Sequence, residues 1–154
     1  MLEEVFYELY DFGFSQKEID DIENNNDYIF NADAEDIRKI LDFLRKKGLE
    51  KQDIINLIND NPFMLTESDK RIDYYENIYN NVLKLNKEEL ITLLKSFSEC
   101  YTSRPKELEK TINYLRNKNI SLEQIKKIVL NNPKIIDLKI EEVIQLIEGV
   151  NHDA

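Results

Sequence analysis

Phe43–Leu65, FLRKKGLEKQDIINLINDNPFML, is the stretch whose reading decides the fold. Leu44 lies four residues before Gly48, placed where a left-handed residue ends a helix. Ile54, Leu57 and Ile58 then recur at the spacing of a short amphipathic helix. Asn61-Pro62 stops that helix, because proline lacks an N–H and pushes the preceding residue out of the α region. The phrase returns near the C-terminus as Tyr114–Ile136, YLRNKNISLEQIKKIVLNNPKII.

Outward from these two copies, a period emerges. Short helices open at Ser15, Glu50, Asn86 and Ser121, and three residues further on stand Glu18, Asp53, Glu89 and Gln124. These are capping-box pairs, with Glu50 the poorest N-cap of the four. The first buried rung falls on Ile19, Ile54, Leu90 and Ile125, and the second on Ile22, Leu57, Leu93 and Ile128. Proline follows only in the second and fourth copies, as Pro62 and Pro133; Asp27 and Ser98 fill the other two slots. Asn24-Asn25-Asn26 and Asn131-Asn132 read as turn residues.

Each copy continues into a longer helix. Its apolar stripe is Ile37, Ile40, Leu41 and Leu44 in the first, and Ile72, Tyr75, Tyr79, Val82 and Leu83 in the second. Leu108, Ile112 and Leu115 serve in the third, with Pro105 in the first turn, and Val143, Leu146 and Ile147 in the last. Leu2–Phe12, with Val5, Phe6, Leu9 and Phe12 apolar, reads as the long helix of a further, half-complete unit. Units this small cannot bury their own apolar faces and must stack on neighbours. The expectation is an all-α solenoid, right- or left-handed, of about four 35-residue repeats and about nine helices, with no sheet. Repeats of approximately 13–47, 48–83, 84–118 and 119–150 follow a capping helix at 2–12, all in a single domain. The third copy, which lacks both proline and a strong apolar cluster, is where irregularity is expected.

Composition agrees. Apolar residues make up 42% of the chain, enough for a core, while three glycines and three prolines among 154 residues disfavour barrels and sandwiches. No apolar run approaches the roughly 20 residues that span a bilayer. Met1-Leu2-Glu3-Glu4 is acidic, unlike a secretory leader, and the lone Cys100 leaves no internal disulfide, so a reducing cytoplasm is expected. The net charge is −10, unevenly spread: residues 1–36 hold twelve Asp or Glu against Lys17 alone, and the remainder is near neutral.

The repeated residues resemble the mitochondrial transcription termination factor family. Those carrying the resemblance are Leu44, Gly48, Leu49, Ile54, Leu57, Ile58, Pro62 and Leu65. In the last copy they are Leu115, Ile120, Ile125, Ile128, Val129, Pro133 and Ile136. The resemblance implies a curved superhelix that holds double-stranded nucleic acid on a basic concave face.

Two sets of charged residues are candidates for function. Arg45 and Arg116 are repeat equivalents, as are Lys47 and Lys118, and Lys84, Lys126 and Lys127 lie in the short-helix region of later copies. Equivalent positions in stacked repeats face one way, so they suit a row of phosphates. Arg and Lys in a last helical turn also simply complement the macrodipole. The second set is Glu18, Asp20, Asp21, Glu23, Asp27, Asp33, Glu35 and Asp36. It suits a basic partner protein, as an adaptor or a phosphate-mimicking inhibitor, and equally a solvated face. From Asp21 onward the glycine of an EF-hand loop is missing. Tyr74, Tyr75, Tyr79 and Tyr101 could stack on bases, but their helical spacing fits a core. With one histidine (His152), one cysteine and no glycine-rich loop, no catalysis, metal, cofactor or small-molecule substrate is expected.

Overall fold

The computed structural model describes residues 2–153, with side chains over residues 3–148. Every regular element among them is helical. The α-helices are α1 (Leu2–Phe12), α2 (Gln16–Asn25), α3 (Ala34–Lys46), α4 (Lys51–Asp60), α5 (Asp69–Asn77), α6 (Lys87–Ser96), α7 (Leu108–Asn117), α8 (Leu122–Asn131) and α9 (Ile140–Asp153). His152 lies outside the described side chains. The chain divides into two compact units, Met1–Arg71 and Ile72–Ala154, with the boundary inside α5.

The short helices α2, α4, α6 and α8 are each ten residues long and take Ser15, Glu50, Asn86 and Ser121 as N-caps. In each, the residue three positions on returns a side-chain acceptor to the cap N–H, at 2.8 Å from Glu18 and 3.2 Å from Asp53. The distances are 2.9 Å for Glu89 and 3.2 Å for Gln124. All four helices close alike. The N–H of the C-cap residue, Asn26, Asn61, Phe97 or Asn132, donates to Ile22, Leu57, Leu93 or Ile128 at 2.8–2.9 Å. Of the asparagine runs, only Asn26 and Asn132 leave the helix; Asn24, Asn25 and Asn131 complete its last turn.

A left-handed residue precedes each N-cap by two positions: Gly13 (φ 131°), Gly48 (104°), Lys84 (55°) and Asn119 (65°). The next N–H reaches back to the preceding helix, Phe14 to Leu9 at 3.1 Å and Ile120 to Leu115 at 3.3 Å. Such six-to-one bonds satisfy carbonyls that a helix end otherwise leaves open. The interval from Gly48 to Lys84 is one residue longer than its neighbours, and its long helix ends in a π turn, Ile78–Val82, where Leu83 N–H donates to Ile78 at 2.8 Å. The π turn absorbs the extra residue. It also shifts the buried face, so that Ile78 is buried while Val82 is only half-buried.

In the first unit, α1, α2, α3 and α4 pack Val5, Leu9, Ile19, Ile37, Leu44 and Ile54 into a common core. Short 3-10 turns, Asp27–Asn31 and Pro62–Thr66, carry the chain from short to long helix and bury Ile29, Phe30, Met64 and Leu65. Pro133–Asp137 does the same in the last copy. The third copy replaces this turn with an irregular segment, residues 97–107, in which Pro105 precedes α7 instead of entering its first turn. Tyrosine hydroxyls hold that segment in place. Tyr74 donates to Lys106 O at 2.9 Å, Tyr75 to Ser103 O at 2.8 Å and Tyr79 to Cys100 O. Tyr101 in turn donates to Glu76 at 2.5 Å. These rings are therefore core and clamp. In α9 the expected stripe is incomplete: Val143 is buried, but Leu146 is 57% exposed.

Gly48→Val is expected to lower stability by roughly 1–2 kcal/mol, because a β-branched residue is strained at that φ. Lys84→Gly should raise it by up to about 1 kcal/mol by relieving the same strain. Urea unfolding measures both; a Gly48→Val variant as stable as the parent removes the argument. Burial pushes the Tyr74, Tyr79 and Tyr101 hydroxyls above their ordinary value. The neutral phenol is thus favoured in the fold, and its contribution is complete below about pH 10 and lost as pH rises further. Tyr79 and Tyr101, the more deeply buried of these, should ionise only as helix is lost. Tyrosinate absorbance that saturates while far-UV dichroism stays native contradicts this.

Candidate nucleic-acid interface

Two helix ends carry the same arrangement. α3 closes with Leu44-Arg45-Lys46-Lys47-Gly48 and α7 with Leu115-Arg116-Asn117-Lys118-Asn119. In both, the lysine is the C-cap residue and reaches back one turn over an aromatic ring. Lys47 Nζ stands 5.0 Å from the Phe43 centroid, and Lys118 Nζ 5.4 Å from Tyr114. Arg45, Arg116 and Lys118 are exposed, and Lys47 half-buried. The helix macrodipole and a ring face thus both favour positive charge here. In the first unit Arg45 and Lys51 flank one ring, that of Phe12, at 5.7 and 5.6 Å. The aromatic partners are a feature that the charge pattern alone overlooked, although their four-residue offset from each lysine is visible in the sequence.

The profile of the mTERF family matches residues 1–150. The chain belongs to this family. No curated protein sequence matches it significantly. The mTERF family consists of helical-repeat solenoids, which agrees with the all-helical repeats described above.

Three basic candidates of this mTERF protein stand differently. Lys84 is exposed, yet it occupies the left-handed position that glycine fills in the first two copies, so its backbone has a structural task independent of its charge. Lys126 departs from the expectation of a free phosphate ligand. It is only 9% exposed and its Nζ lies 3.1 Å from Glu89 and 3.7 Å from Glu123, tying α8 to α6. The cause is local: position 126 follows the buried Ile125, at the edge of the face that packs on α6. Lys127, one step round the helix, is exposed.

The acidic set also divides. Glu18 belongs to the α2 capping box and its other oxygen accepts from Asn59 at 2.5 Å. The Ser15 N–H holds its carboxyl below the ordinary value, with the Asn59 and Ser15 side chains assisting. Asp33 caps α3, accepting from Glu35 N–H at 2.9 Å, and Glu35 and Asp36 lie in the first turn, where negative charge suits the dipole. Asp20, Asp21, Glu23 and Asp27 remain as exposed carboxylates, Asp21 with Lys17 at 3.7 Å. Among the described residues no three His, Cys, Asp or Glu come together as a metal site, and no helix is long and apolar enough to cross a membrane.

Lys126→Ala should lower stability by on the order of 1 kcal/mol, through lost packing and a broken, partly buried ion pair, while leaving affinity for duplex DNA unchanged. A variant that unfolds like the parent but binds DNA more weakly returns Lys126 to the binding surface.

Proposed function

We propose that this mTERF protein is a non-catalytic nucleic-acid-binding module that contacts phosphates through Arg45, Lys47, Arg116 and Lys118. The observation that carries this reading is the repeated helix end, with the same arginine and the same ring-supported lysine in two copies. A family of transcription-termination type supplies the expectation of nucleic acid, and cationic helix ends supply phosphate contacts. Lys127 is a further exposed contact. The −11 balance of residues 1–36 repels a phosphate backbone, so binding relies on local rather than net charge.

A second reading draws on Asp20, Asp21, Glu23 and Asp27, which are exposed and absent from the capping boxes. It makes the first repeat an acidic surface for a basic partner protein, in an adaptor or inhibitor role, with association speeded by its field.

Reversing all four basic positions to Glu should weaken duplex binding at least tenfold, and flatten its salt dependence by about 0.9 in the logarithmic slope per lost phosphate contact. Neutralising Asp20, Asp21, Glu23 and Asp27 in a parallel arm should strengthen duplex binding and slow association with a basic partner. Unchanged duplex affinity after charge reversal rules out this interface.

A further inference from the structure

The 3-10 turns of the first and second copies place Tyr28 and Phe63 at equivalent positions, each just after the short-helix cap. The two rings stack on one another, centroids 6.2 Å apart and planes 28° from parallel. Both are nevertheless open to solvent, Tyr28 by 43% and Phe63 by 49%. The last copy fills this position with Lys134, which is also exposed, so the turn itself does not require an aromatic residue. Rings that the fold does not demand and does not cover form a face available to a partner.

What surrounds the pair sets the chemistry of that partner. Pro62, the residue before Phe63, and Asn26, two before Tyr28, line a cleft in the first unit together with Glu18, Asp21, Asn25 and Asn59. Glu18 is fixed there by Ser15 N–H at 2.8 Å and Asn59 Nδ2 at 2.5 Å, which orient its carboxylate before any partner arrives. Exposed ring faces near one fixed carboxylate, Glu18, and one exposed one, Asp21, suit a planar cation. A guanidinium stacks on an aromatic face and pairs with a carboxylate in a fork, whereas an ammonium is a more strongly hydrated point charge.

We propose that the Tyr28–Phe63 ring pair and the adjoining Glu18–Asp21 cleft form a docking site for an arginine-bearing segment of a basic partner protein. This inference rests on the second reading above and gives it a location and a side-chain preference. Charge complementarity selects the occupant: Tyr28, Glu18 and Asp21 belong to residues 1–36, which carry the −11 balance, and that charge disfavours nucleic acid and a second acidic copy alike.

The test titrates fluorescein-labelled nona-arginine and nona-lysine peptides into the full chain at physiological ionic strength of about 0.15 M, where surface charge is screened within about 8 Å. The wild type should prefer the arginine peptide. Tyr28→Ser with Phe63→Ser, which leaves the charge unchanged, should weaken that binding about tenfold and abolish the preference. Phe63→Lys, the residue type the last copy already tolerates at this position, provides a second variant with an intact fold by far-UV dichroism and should weaken binding at least as much. Asp20→Asn with Glu23→Gln, outside the cleft, should cost no more than about twofold. If the charge variant loses affinity and both ring variants bind as the parent does, the acidic-adaptor reading stands and this site falls. If no variant matters, or the wild type binds neither peptide, both fall. Equal binding of the two peptides overturns the arginine preference, and weakened duplex DNA binding in the ring variants reassigns the rings to nucleic acid.

Discussion

A helix that ends in mid-chain leaves its last carbonyls without donors, and the next helix begins with N–H groups that have no acceptors. This protein meets both demands within three residues. A left-handed residue turns the chain at each of four corners, the next N–H reaches back at three of them (Phe14, Leu85 and Ile120), and the N-cap two positions later exchanges bonds with the first turn of the short helix. The packing that follows depends on this corner. It fixes where each short helix starts, and so which of its residues, Ile19, Ile54, Leu90 and Ile125, meet the core. Residues that pack at 0–5% exposure in every copy are a consequence of that angle as much as of their own hydrophobicity.

The corners were legible because they are local. Ser15, Asn86 and Ser121 announce themselves with a partner three residues away, and even Glu50, a weak N-cap type, is held by Asp53. Gly48 was legible for the same reason, but Lys84 was not, since a lysine in that conformation looks in sequence like one more positive charge. The burial of Lys126 was hidden for a different reason: its partner Glu89 is 37 residues away, and one residue of rotation separates it from the exposed Lys127. The irregularity of the third copy is visible in the sequence as a missing proline combined with a weak apolar cluster. Its remedy is not, because the tyrosines that satisfy it come from the preceding long helix and donate to backbone carbonyls, which sequence patterns do not mark.

Charge in this molecule does structural and surface work at once, and the two are separable only residue by residue. Arg45 and Lys47 complement a helix end, Arg45 as an exposed cation; Asp33 and Glu18 complete helix starts while adding to an acidic surface. A count of charges therefore overstates what is free for a partner. After capping residues and Lys126 are set aside, the first repeat keeps Asp20, Asp21, Glu23 and Asp27 exposed, and the two helix ends keep Arg45 and Arg116 exposed. Opposite charges thus serve different places on one chain. The aromatic rings that accompany each, Phe43 and Tyr114 under lysines and the Tyr28–Phe63 stack near carboxylates, sharpen the distinction.

The π turn at Ile78–Val82 bears on how such arrays change over time. Inserting one residue into an α-helix rotates everything after it by about 100°, which in a close-packed repeat turns an apolar stripe toward water. A single widened turn confines that rotation to a few residues, and the corner at Lys84 and the cap at Asn86 recover the geometry of their counterparts. Repeat length can then drift by one without the neighbouring copies having to adapt. The widened turn of the long helix is thus a place where this chain takes up an extra residue and keeps its register.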